Sequence, residues 1–438
     1  MAVPEGTGAE DEANHAAASP TESAEIVANG DLRVELEGGG KNGAPLLVRV
    51  DRAHLRKASR YFHVLLDSHK FAEGSALQDR HDHLRSQGVR PADGPNGLLP
   101  RIRIGDTGRM GPCPEGIGAV TLDFFRVLHG LPMQRPRHSV AFLANAVILA
   151  DRFDSLPVLS AYIKAHRLFP SKDPIPGEVL TALAQEQRDR QRLLICTLLD
   201  HPSWFGPATG RLVAYDYDMR HATSTAKSVA RSAVAQGLWW SLPDELEAEL
   251  LHRRECILET LHSLQVGVME SYMSRIRQCT LGYDSSVQCD DFQLGQAVRF
   301  FNRIGTLRMS SNLYDSGFSD PFMGNVKRLI ANLRQFPPYQ IDGNHAHCGP
   351  RTKLIPALDF LQTVLARETD MCWTCWRQDR ANYRWSDVEP ARHWRLESDM
   401  AAWKGQRCRE SHRQAKAMFT ALHRVWNEAQ ESPFHHGE

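Results

Sequence analysis

Leu46-Leu47-Val48-Arg49-Val50-Asp51-Arg52-Ala53-His54-Leu55 is the stretch where the apolar period of this chain changes. Leu46, Val48 and Val50 alternate with their neighbours, as one face of a strand does. From Asp51 onward Leu55, Ala58, Phe62, Leu65 and Leu66 form the apolar stripe of a short helical pair. Upstream, Leu32, Val34 and Leu36 alternate with Arg33, Glu35 and Glu37. The Gly/Asn-rich turn Gly38–Ala44 then lets the two runs pair as a hairpin with one buried face. Downstream, Gln78–Pro100 is polar and rich in His, Arg, Gly and Pro, and reads as a mobile insertion loop. Arg101-Ile102-Arg103-Ile104 alternates as a third strand. Val120–His129 returns to helix, Ser139 can cap the next one, and Leu156–Leu168 supplies another.

This order of strand, strand, helical pair, strand and helices resembles the BTB/POZ family, and local motifs agree with it. Val50-Asp51-Arg52-Ala53-His54-Leu55 followed by Ser59-Arg60-Tyr61-Phe62 is similar to the family's v-H-R-x-x-L-x-x-x-S-x-Y-F. Phe71-Ala72-Glu73 is similar to F-x-E, Val127-Leu128-His129-Gly130 takes the place of the Y-T-G segment, and Ala150-Asp151-Arg152-Phe153-Asp154 is close to A-D-K-Y-D. The resemblance covers residues 30–169 and implies an α+β BTB/POZ fold, a small sheet plus helices. Two departures stand out: Asp51 replaces the family's usual histidine, and residues 78–100 separate parts that are normally closer. Asp31 and Arg52 match the acid and base that many POZ domains hold near a shared charged pocket. Taken by themselves, the two residues read as a structural ion pair.

Beyond residue 169 the chain reads as mostly α-helical, with a helical domain over 170–376 and a basic, Trp-rich helical tail over 377–438. Helices are expected over Pro176–Asp200, Phe292–Arg303, Phe322–Phe336 and Pro356–Leu365. Leu246, Leu250, Ile257, Leu261, Leu264, Val268, Tyr272 and Ile276 mark a long amphipathic helix, with Ser241 placed to cap it. This region resembles the helical parts of fungal BTB-domain-containing proteins through Arg277-Gln278-Cys279, Asp284-Ser285-Ser286 to Leu294-Gly295, and His347-Cys348-Gly349. That resemblance carries no activity.

No phosphate-binding glycine loop, His-Glu-x-x-His or Gly-x-Ser-x-Gly is present, so no enzyme class emerges. Ser224-Thr225-Ala226-Lys227 fits Ser-x-x-Lys but lacks companion motifs, and Asp290-Asp291 reads as the cap of a following helix. The segments that can carry chemistry hold sulfur and imidazole. Cys279, Cys289, His347 and Cys348, with His345 as the substitute for His347, offer the thiolate and imidazole donors that a structural zinc prefers. The competing reading packs the two isolated cysteines as small hydrophobes. Cys372-Trp373-Thr374-Cys375 can bind metal, cycle redox state or simply pack in a Trp-rich helical region.

Fifty-two Lys plus Arg balance fifty-two Asp plus Glu, which removes a global electrostatic footprint for nucleic acid or anionic membrane. No apolar run is long enough to span a bilayer. Met1–Asn29 is acidic, poor in hydrophobic residues and without a signal-peptide core, and reads as a disordered tail. Nine irregularly spaced cysteines and no Asn-x-Ser/Thr acceptor point to an intracellular setting, cytoplasm or nucleus. The expectation is a protein-protein interaction module, assembling with itself as a homodimer or with a protein partner. The alternative is a nucleic-acid-associated regulator that uses the basic tail, where eleven Lys/Arg face six Asp/Glu between Arg377 and Arg424.

Overall fold

A computed structural model describes residues 22–40, 44–105, 107–135, 137–169, 180–214, 237–281, 284–307, 324–387, 389–396 and 408–426. The described residues divide into two units, one ending at residue 169 and joined by 237–238, the other running from residue 180. Together they give a mixed α/β chain with a small sheet and a helical bulk.

In the first unit four strands, β1 (Glu22–Glu25), β2 (Leu32–Leu36), β3 (Leu46–Val50) and β4 (Arg101–Ile104), form a sheet in the order β1-β3-β2-β4. β2 and β3 are antiparallel with Leu32 opposite Val50 and Leu36 opposite Leu46. This register puts Leu32, Val34, Leu36, Leu46, Val48 and Val50 together, all fully buried. Each contributes about 1.5–3 kcal/mol relative to exposure. β4 lies parallel to β2 and adds Ile102 and Ile104 to the same core. The expected tail stops short of Asn29: Glu22–Glu25 is a strand parallel to β3. Its side chains carry almost no apolar signal, and backbone pairing places it at the sheet edge. Residues 1–21 lie outside the described residues.

The change of period at Asp51 is a helix start. The Asp51 carboxylate accepts from the His54 N–H at 2.8 Å and caps α1 (Arg52–Ala58). Ser59 caps α2 (Arg60–Leu65) by accepting from the Phe62 N–H, and its hydroxyl donates to the Phe153 carbonyl at 2.5 Å.

The expected mobile loop over Gln78–Pro100 is corrected by α3 (Ala72–Ser86). Gly74, Leu77, His81 and Leu84 are buried at helical spacing, so two leucines and a histidine suffice for a stripe that the polar composition hides. The segment after α3 is also held: Arg49 donates to the Ala92 and Gly94 carbonyls and to Asn96, and Leu99 is buried. Three further helices, α4 (Ile117–Leu128), α5 (Val140–Arg152) and α6 (Leu156–His166), complete the unit, with Ser139 capping α5 as expected. Phe62, Phe124, Phe125 and Phe153 meet in one aromatic cluster, with Phe62 stacked on Phe153 at 5.2 Å.

The second unit holds α7 (Ala182–Leu199), α8 (Phe205–Ala214), α9 (Leu246–Met273), α10 (Ser286–Arg303), α11 (Val326–Leu333), α12 (Arg351–Glu368), α13 (Trp373–Gln378), α14 (Arg380–Tyr383) and α15 (Cys408–Thr420). α9 buries the expected Leu246, Leu250, Ile257, Leu261, Leu264 and Val268. It ends three residues before Ile276, which is exposed. Ser241 does not cap it, because Asp244 and Glu245 both take left-handed backbone angles and turn the chain before the first helical residue.

This unit buries both members of ion pairs, whereas in the first the buried Glu35 pairs with a half-exposed Arg101. Glu249 is fully buried and accepts from Arg253 at 2.7 Å, while the Arg253 guanidinium lies over the Tyr383 and Trp385 rings at 4.7 and 4.6 Å. The Trp385 N–H donates to Glu249 at 2.9 Å, so the buried pair also fixes the chain beyond α14.

The tail is not wholly helical. β5 (His393–Arg395) and β6 (His423–Val425) pair in parallel with His393 opposite His423. Three-residue strands are too short to show a period. α13 runs across the expected boundary at 376/377, and the described residues of the tail belong to the same compact unit.

Candidate metal centre

Four of the five donors singled out in the sequence converge. Cys279 follows the end of α9, and Cys289 sits in the first turn of α10, both buried. The carboxylate of Asp290 accepts from the backbone N–H groups of Gln278 and Cys279 at 2.8 and 2.9 Å, which pins the loop that presents Cys279. Asp290 therefore braces that loop from inside α10 and does not cap the helix, which begins at Ser286.

The third and fourth donors come from the turn at 343–349. The donor atoms of Cys279, Cys289 and His345 all lie within 4.8 Å of one another, and the Cys279 and Cys348 sulfurs are 3.8 Å apart. His345, and not His347, is the imidazole of this cluster. His345 is 1% exposed, with its Nδ1 held by the Asp342 carboxylate at 2.9 Å. His347 is exposed, and its left-handed backbone (φ 71°) turns it away from the role expected of it. Asp342 orders the turn by also accepting from the N–H groups of Asn344 and His345. Gly349 gives the backbone the room expected of it: a Cβ there would meet Gln293 Oε1 at 2.7 Å. The Tyr272 hydroxyl donates to the Cys348 carbonyl at 2.7 Å.

A tetrahedral site with metal–sulfur bonds of about 2.3 Å has sulfurs about 3.8 Å apart, which is the separation seen here. Burial, together with the neighbouring Cys279 and Cys348, pushes the Cys289 thiol up to about 12. Packed thiols resist ionising side by side, and a divalent cation among them offsets that cost. Asp342 behind His345 is the carboxylate partner that fixes a ligating imidazole.

The other cysteine pair does not join this cluster. Cys372 and Cys375 meet Cys408 and His412, two residues one turn apart on α15, and the four donor atoms all lie within 4.8 Å of one another. Cys408 and His412 were legible only as a Cys-x3-His spacing that becomes one helix face if the segment is helical. The half-charged, Trp-rich surroundings obscure it. The hydrogen bond from His412 lowers the Cys372 thiol to about 6. Burial works against protonation of His412, but its bonds to Cys372 and Glu368 prevail and raise it to about 10.

The remaining described candidates have structural partners. Asp31 accepts from the backbone N–H of Arg52 at 2.8 Å, while the Arg52 guanidinium donates to Gln78 and to the Leu66 carbonyl. The expected charged pair is thus a helix-start hydrogen bond. Ser224 and Lys227 lie outside the described residues. In the basic tail Trp385, Trp394 and Trp426 are buried, so their faces are not open for stacking a base, and Arg377, Arg380 and Arg384 reach Asp200, Asp244 and Glu245. No described helix is long and apolar enough to cross a membrane. Compared with known proteins, the chain matches no family model, no curated protein and no solved structure.

Proposed function

We propose that this chain is a protein-interaction protein: a BTB/POZ-type module over residues 30–169 that assembles with a second copy, joined to a helical platform stabilised by structural zinc. The observation that carries the module is the meeting of two motif segments far apart in sequence. Ser59-Arg60-Tyr61-Phe62 lies against Arg152-Phe153-Asp154 through the Ser59 hydroxyl on the Phe153 carbonyl, the Arg60 N–H on the Asp154 carbonyl at 3.3 Å, and Phe62 stacked on Phe153. The Asp51 N–H likewise donates to His129 Nε2 at 3.0 Å, joining the first motif to the Y-T-G position. These residues are spent on internal architecture, which fits a scaffold better than a reacting centre.

The platform reading rests on Cys279, Cys289, His345 and Cys348. Four protein donors leave no position for a water or substrate, so zinc there serves folding and not hydrolysis. Sedimentation of the full chain over a concentration series, with cross-links mapped between isotopically distinct copies, tests the assembly. The expected result is a two-fold dimer whose cross-links fall in residues 22–169. A monomer at every concentration, or cross-links confined to the second unit, overturns it. Zinc retained through gel filtration and reduced in Cys279→Ser supports the platform.

A further inference from the structure

We infer that Cys372, Cys375, Cys408 and His412 hold a second structural zinc, which fastens α15 to α12 and α13. The inference goes beyond the function proposed above, since it concerns different residues and stands or falls without the first cluster.

The donors come as two short pairs. Cys372 precedes α13 and Cys375 sits within its first turn; Cys408 opens α15 and His412 follows one turn later on the same face. Placing one pair at the start of each helix lets four side chains converge without distorting either. The Cys375–Cys408 and Cys372–Cys408 sulfur separations are 3.7 and 3.8 Å, close to the roughly 3.8 Å edge of a tetrahedral zinc–thiolate site. His412 Nε2 lies 2.8 Å from the Cys408 sulfur, so the imidazole already faces the sulfurs and has to retreat by less than about 1 Å to share a metal with them.

What stands behind the histidine decides between metal and redox chemistry. His412 Nδ1 is 2.6 Å from the Glu368 carboxylate, whose other oxygen accepts from the Ser411 hydroxyl, and Glu368 is buried. This carboxylate–imidazole pairing fixes ring orientation and leaves Nε2 for the cation. A redox dithiol needs two cysteines and no buried carboxylate behind an imidazole on a second helix. Here Cys408 stands within 3.8 Å of both other sulfurs, and three thiolates with one imidazole form a donor set that selects zinc. The metal has something to fasten: Ala415, Met418 and Phe419 of α15 are buried, and at thirteen residues α15 is under four turns long.

Zinc counting by elemental analysis and native mass spectrometry of the full-length chain tests this. The parent is expected to carry two ions, Cys408→Ser one, Cys279→Ser one, and His412→Cys two, because a fourth thiolate can replace the imidazole. Glu368→Gln, which keeps the shape of the side chain, should release one of its two ions to a colorimetric chelator about 10- to 100-fold more readily than the parent. This variant serves if Cys408→Ser does not fold. A parent with a single ion that is lost in Cys279→Ser overturns this inference and leaves the first cluster standing. The reverse pattern overturns the first cluster alone. A mass two hydrogens lighter in the peptide spanning Cys372 and Cys375, with no metal in the parent, replaces zinc with a disulfide and also overturns it.

Discussion

The two units are held together by different physics. In the first, apolar strands meet an aromatic cluster, and polar side chains such as Ser59 and Asp51 finish helix ends. In the second, Glu249 with Arg253 and Glu186 with Arg190 are buried as pairs, and sulfur donors gather at helix ends. Apolar contact is tolerant of its partner. A buried charge or thiolate cluster is not, because removing one member leaves the other desolvated and uncompensated. The second unit should therefore be more sensitive to loss of single partners and less sensitive to loss of volume.

The largest effects test this directly. Phe62→Ala should cost about 3–5 kcal/mol by deleting a ring that touches Phe125 and Phe153, and amide exchange should rise in residues 22–169 while the second unit keeps its protection. Glu249→Ala should cost a similar 3–5 kcal/mol, now in the second unit, because Arg253 stays buried without its carboxylate. Replacing Glu249 and Arg253 together by methionine should recover most of that loss. If the double variant is as unstable as the single one, packing and not charge compensation is what the pair provides.

A smaller effect sharpens the contrast. Ser59→Ala removes a cap and the donor to Phe153, so a loss of about 1–2 kcal/mol is expected in chemical denaturation. Ser59→Thr should restore part of it. The smallest effect is on pH. Burial holds His129 below the ordinary histidine value, against the Phe125 carbonyl and the charge of the Asp51 carboxylate, which favour its protonated form, with His54 stacked beside it. A depressed histidine binds its proton more weakly folded than unfolded. Stability of the first unit should therefore be full above about pH 6.5 and fall as pH drops from there toward the folded value. His129→Gln should flatten that slope, and an unchanged slope would place the titrating group elsewhere.

The same contrast governs how much could be read beforehand. Alternation made the β2/β3 hairpin and its buried face legible, and Ser139 and the α9 stripe were visible because each rests on neighbours within one or two turns. β1 was hidden because Glu22-Ser23-Ala24-Glu25 owes its place to the backbone of β3, and α3 because its buried stripe includes His81 and Gly74. For the first metal cluster the sequence offered both imidazoles, and only the turn built on Asp342 decides for His345 over His347. Cys408 and His412 were missed because convergence of two distant pairs depends on how α13 and α15 are placed, which no local pattern encodes.

The parallel pairing of β4 with β2 has a consequence in time. β2 and β3 close across a short turn, whereas β4 cannot reach β2 until the whole stretch from Glu37 to Pro100 has been drawn in. On a flexible chain that longer closure costs roughly 2 kcal/mol more entropy, at about 0.6 kcal/mol per doubling of loop length. The sheet is thus expected to grow outward from its hairpin, with the arrival of β4 setting the pace. Ile102→Val should then slow refolding in stopped-flow, and a change confined to unfolding would mean that β4 docks after the barrier has been crossed.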